Sequence, residues 1–284
     1  RSSAASDVYK RQDVKCKVLL GVELTDFEIM HIKECEQQED SDSDKYSGEL
    51  VPIIFRDAFE NEATEFLEKY YPLALQEPVS VPIRRIAENM GLSIMEESLL
   101  SSELDVFGLV VFEDGNIKDK NKNIVIRNAK RGTVLIDPRV YYERTLGTVN
   151  FTIAHECFHW HRHQPYHALM KMLGANDELG KIIQCSIGSN SKDSEKWKAI
   201  DWMEWQANGV APHILMPTST AKIKVTELIE KYQIHFDGMD GYRIEDMILE
   251  LADFYGLSKL AVKMRIREMG YAKIDGVFTY VNGQ

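Results

Sequence analysis

The residues best suited to chemistry stand in Phe151-Thr-Ile-Ala-His155-Glu156-Cys157-Phe158-His159-Trp160-His161. This stretch contains H-E-x-x-H. On an α-helix, residues four apart lie one turn from each other on the same face. His155 and His159 can therefore aim imidazole nitrogens at one zinc ion. Glu156 lies about 100° round the helix, where its carboxylate can take a proton from a zinc-bound water and pass it to a leaving amine. Cys157 and Phe158 are uncharged, as a helix packed into a core requires. The plain alternative is a helix with two satisfied histidines and a surface Glu.

A catalytic zinc needs a third protein ligand and an open water position. The best downstream source is Ile200-Asp201-Trp202-Met203-Glu204-Trp205-Gln206-Ala207-Asn208, which runs on to Leu215-Met216-Pro217. Glu204 would complete a His-His-Glu site. Ala207 is small enough for two helices to approach. Asn208, one turn beyond Glu204, is a candidate to hydrogen-bond and orient a ligand. One zinc ion is the expected cofactor, although manganese or iron also suits this donor set. His161, His163 and His167 read as surface histidines or as residues behind the ligands. One of them, His213 or Tyr142 could instead stabilise an oxyanion. Cys157, off the ligand face, reads as core, as by default do Trp160, Trp202 and Trp205.

The elements that must position these groups are α+β in pattern. Phe59, Ala63, Phe66, Leu67 and Tyr70 recur at helical spacing, and Pro72 stops the run. Val81–Gly91 reads as a short helix ended by glycine. Val106–Phe112, Asn123–Arg127 and Thr133–Ile136 read as strands of a small three-stranded sheet. Helical patterns follow to about residue 270, and Val277–Val281 could be a last strand. Near the end, Ile244–Phe254, Tyr255-Gly256-Leu257 and Ser258–Met269 read as helix, turn and helix, with Ser258 as N-cap. Ala252, Gly256 and Val262 have the spacing of a helix-turn-helix unit. Residues 258–273 hold Lys259, Lys263, Arg265, Arg267 and Lys273 against Glu268. DNA contact by this basic stretch is a minority reading beside a solvated face or a docking face for a protein.

Composition narrows the class. The chain has 284 residues, 44% hydrophobic and 28% charged, with a net charge of −11. So acidic a body repels phosphates and should not bind nucleic acid non-specifically. No apolar run approaches the ~20 residues of a spanning helix, so no membrane association is expected. No signal peptide is evident, and the four cysteines form no C-x-x-C pair; free thiols in a reducing cytoplasm are expected. Three regions are expected: residues 1–50, a non-native or disordered segment with an acidic linker at 36–48; 51–235, holding the metal site; and 236–284, the helix-turn-helix-like part.

Together, Phe151-Thr-x-Ala-His-Glu-x-x-His159 and Glu204-x-x-Ala-Asn208 running into Leu215-Met216-Pro217 resemble the ImmA/IrrE-type zinc metallopeptidases. Phe66-Leu67…Tyr70-Tyr71-Pro72, Pro82-Ile83…Gly91 and Phe107-Gly108 before a strand are similar too, so the resemblance spans roughly residues 55–270. It implies a cytosolic zinc endopeptidase with a zincin-like helical metal site. Its substrate would be a helix-turn-helix transcriptional repressor governing a mobile element or a stress response. The other function class is a non-catalytic, metal-holding regulator that binds a repressor or DNA. Two departures stand out. Cys157-Phe158 replaces the family's usual Leu-Gly, and 44 residues lie between His159 and Glu204. The large Phe158 should push its neighbour outward, and the insert, Ser186–Ser194 included, could form a flap or a docking loop.

Overall fold

The computed structural model describes residues 16–20, 29–34, 51, 54–96, 100–118, 124–172, 182–186, 197–235 and 240–271. Contacts divide the chain into two units, Arg1–Asp44 and Lys45–Gln284. In the first, β1 (Cys16–Leu20) and β2 (Ile29–Glu34) pair antiparallel, inside the stretch where no ordered element was expected. Residues 36–48 and 277–281 lie outside the described residues.

The second unit is α+β. It opens with α1 (Phe59–Tyr70) and α2 (Ile83–Asn89). Phe59, Ala63, Phe66 and Leu67 are the buried face of α1, as their spacing requires. Pro72 begins a separate 3-10 turn, and Gly91, at φ +78°, carries the chain out of α2. Its strands are β3 (Ser93–Met95), β4 (Val106–Val111), β5 (Gly115–Lys118), β6 (Ile124–Ala129), β7 (Thr133–Ile136) and β8 (Ile182–Ser186).

The main sheet has four strands in the order β3-β7-β4-β8, and only the β3–β7 pair is parallel. The expectation of three strands needs correcting in membership as well as number. Asn123–Arg127 falls largely in β6, which pairs with β5 in a separate hairpin. That hairpin covers one sheet face: Ile117 and Ala129 pack with Leu109, Val111 and Leu135. The other face carries the helices, so β4 and β7 are buried on both sides and read as continuous apolar runs.

Six helices follow: α3 (Val140–Glu143), α4 (Leu146–Arg162), α5 (Gln164–Met172), α6 (Ala199–Leu215), α7 (Thr218–Lys231) and α8 (Gly241–Tyr255), with α9 (Lys259–Glu268) last. α4 lies between the sheet and α6. It crosses β4 at Gly108, where a Cβ would come within 2.5 Å of the Thr152 methyl. At its start, Thr145 caps α4 by accepting from the Thr148 amide. Beside that cap, a Cβ on Gly147 would sit 2.2 Å from the Leu257 carbonyl carbon, so α4 rests directly on the α8–α9 turn. Asn150 adds a hydrogen bond to the Gly256 carbonyl, 2.9 Å. Gly256 adopts the left-handed conformation that ends α8, and Ser258 caps α9 through the Ala261 amide. α8 and α9 therefore belong to the same unit as α4.

Candidate metal centre

His155, His159 and Glu204 converge. The first two come from the middle of α4 and the third from the second turn of α6. Their ligand atoms all lie within 4.8 Å of one another. His155 Nε2 and His159 Nε2 are 2.8 Å apart. Glu204 Oε2 is 3.5 Å from the former, and Oε1 is 3.3 Å from the latter. Both imidazoles are fully buried; Glu204 keeps 13% of its side chain exposed, but its two oxygens are buried.

The donor set fits a divalent cation. Neither Glu204 oxygen has a hydrogen-bond partner among the described residues, although both are buried. Unsatisfied buried carboxylate oxygens are costly, and a cation is a natural partner for them. Tetrahedral zinc with bonds of ~2.0–2.1 Å sets its donor atoms about 3.3 Å apart. Each N···O separation is close to that figure, although the two involve different oxygens of Glu204, and the N···N separation is tighter. Charge states suit the role as well. Burial, reinforced by His155, pushes His159 down to about 4, so its ring is neutral near pH 7. Burial would raise Glu204, but the imidazoles of His155 and His159 bring it to about 2, a carboxylate.

Glu156 is fully buried on α4. Cys157 is buried and free, and burial raises its thiol pKa. Phe158 is buried too; its ring meets that of His163 edge-on, with centroids 5.7 Å apart.

The remaining histidines separate clearly. His161 packs among Phe66 and Tyr70 of α1. His167 stacks on Phe112 with ring centroids 3.8 Å apart. His163, four residues beyond His159, is buried behind the ligands: its Nδ1 is 2.8 Å from His159 Nδ1 and its Nε2 is 2.8 Å from Gln206 Oε1. Burial holds its pKa well below the usual value. Asn208 makes no hydrogen bond to a ligand; the orienting contact comes from His163 and Gln206. The i, i+4 spacing of His163 was the available signal. Gln206 becomes visible only once α6 is packed on α4.

Neither His213 nor Tyr142 faces the ligands. Tyr142 is 88% exposed. His213 belongs to a second cluster, around the fully buried Arg265. Its Nδ1 lies 2.7 Å from Glu60, and Arg265 reaches its Nε2 at 3.1 Å. Arg265 also donates to Glu60, Glu268, Thr218 Oγ1 and the Met216 carbonyl. Of the basic stretch only Arg265 is buried; Lys259 and Lys263 pair with Glu245 near the surface, Arg267 is exposed, and Lys273 lies outside the described residues. Between the two clusters runs an apolar groove of about 450 Å3. Phe151 and Asn208, each one turn from a ligand, line it with Trp205, Leu260, Ala261 and Met264. Trp160 is core, stacked on Phe112.

No protein-family model matches the chain, and no curated protein matches it. Residues 187–194 of the insert lie outside the described residues. Among the described residues, no helix is long and apolar enough to cross a membrane.

Proposed function

We propose that the protein is a zinc-dependent endopeptidase of the ImmA/IrrE type. In this reading it acts in the cytoplasm on a helix-turn-helix transcriptional repressor of a mobile element or stress response. The observation that carries the reading is the meeting of His155, His159 and Glu204, from two helices, at one buried point with unsatisfied carboxylate oxygens.

These three residues would hold the ion. Zinc bound there supplies Lewis acidity and lowers the pKa of a water toward ~7. Glu156, next to a ligand and buried, takes a proton from the attacking water and delivers it to the leaving amine. Burial keeps bulk water away from the imidazoles and the Glu204 oxygens alike.

The test is incubation of the zinc-loaded protein with helix-turn-helix repressors encoded near its gene, beside the Glu156→Gln variant. Wild type should yield fragments; the variant should keep zinc and yield none. Zinc binding with no cleavage by wild type would instead favour the non-catalytic regulator.

A further inference from the structure

We infer that His163 and Gln206 form a positioning relay that holds His159 as the Nδ1–H tautomer, leaving its Nε2 bare toward Glu204 and His155. Only the purpose of that bare nitrogen rests on the metal-site reading; the tautomer is a property of the chain itself.

The chain of inference starts at Gln206. Its Oε1 can only accept, so His163 Nε2, 2.8 Å away, must donate. A neutral imidazole donates from one nitrogen and accepts at the other. His163 Nδ1 therefore carries a lone pair and faces His159 Nδ1 at 2.8 Å. Two lone pairs cannot share that distance, so the proton sits on His159 Nδ1. The lone pair of His159 is left on Nε2, which lies 3.3 Å from Glu204 Oε1 and 2.8 Å from His155 Nε2.

All three relay residues are buried, so water does not compete for these bonds. Phe158, edge-on to His163, fixes that ring in place. α6 supplies both Glu204 and, two residues on, Gln206, so the packing that delivers one delivers the other. His155 provides an internal contrast: its Nδ1 is buried with no hydrogen-bond partner among the described residues. By the same rule, the 2.8 Å between the two Nε2 atoms puts a proton on His155 Nε2 in the metal-free chain, one that a bound ion would displace. A free imidazole samples both tautomers, and the relay removes the one whose Nε2–H would block coordination.

The experiment is two-bond 15N–1H correlation NMR on the full, metal-free chain with 15N-labelled histidine, followed by zinc titration. The wild-type spectrum should show His159 protonated at Nδ1 and bare at Nε2. Gln206→Leu should let His159 populate both tautomers, and Gln206→Glu, which keeps an acceptor, should restore the wild-type pattern. His163→Phe should weaken zinc binding roughly 10–100-fold; should that variant not fold, the Gln206 pair decides. A wild-type His159 protonated at Nε2, or a tautomer unmoved by Gln206→Leu, overturns the relay. The expected tautomer in a protein that binds no zinc sustains the relay and removes the metal-site reading.

Discussion

α6 takes part in two buried polar clusters, and they are built on opposite rules. Near its start, Glu204 meets two imidazoles, and its oxygens accept no hydrogen bond among the described residues. Near its end, His213 joins Glu60, Thr218, Glu268 and Arg265, where five-donor arginine is matched by acceptors on nearly every side. A cluster with its donors and acceptors matched is complete as it stands and ties helices together. A cluster in which two imidazoles crowd a carboxylate whose oxygens accept no hydrogen bond among the described residues calls for a cation. The contrast separates structure from function better than burial or charge alone, since each cluster has a buried centre and both contain histidine and glutamate.

The largest expected effect lies in the first cluster. Glu156→Gln should lower peptide cleavage by about 10²–10⁴-fold with zinc content unchanged, read by fragment analysis beside metal analysis. Next comes a paired stability measurement by denaturant unfolding in chelator. Arg265→Met removes a donor from Glu60, Glu268 and the Met216 carbonyl, while Thr218, His213 and Arg56 still serve the two carboxylates, and should cost about 1–3 kcal/mol. Metal-free Glu204→Gln should cost less than this, because only the attraction of two neighbouring imidazoles is lost. Equal costs at the two positions would erase the distinction between the clusters.

Acid should reach the second cluster in a defined window. Burial would raise Glu60, but hydrogen bonds from His213 and Thr218 and the Arg265 charge bring it to about 2. Glu268 is likewise brought to about 2, against burial, by His213, Arg56 and Arg265. Both carboxyls have folded values below the unfolded value near 4.5. Their contribution is therefore complete above about pH 4.5 and is lost as the pH falls toward 2. Unfolding free energy measured across that range should fall more steeply in wild type than in Arg265→Met. The smallest effect is local: Ser258→Ala should cost about 1 kcal/mol and appear as faster amide exchange in the first turn of α9.

What the sequence made legible was local. The H-E-x-x-H spacing places its histidines on one helix face without any tertiary knowledge. The α1 stripe, the glycine ending α8 and the Ser258 cap are likewise written in neighbouring residues. Long-range pairing was hidden. Arg265 looks like one of a run of surface cations, because nothing near it announces Glu60, 205 residues away. β3 has three residues, too few for a pattern, and β8 follows a long polar connection. β6 has strand character but does not say which partner it will take. Glu204 stands out in the sequence only as the third donor that two histidines need, and Gln206 is meaningful only beside His163.

The central claim is most directly tested by counting zinc in the protein by native mass spectrometry, beside His155→Ala, His159→Ala and Glu204→Ala. The account predicts one zinc ion per wild-type chain and its loss in all three variants. Wild type without zinc, or Glu204→Ala holding it as tightly as wild type, would contradict it.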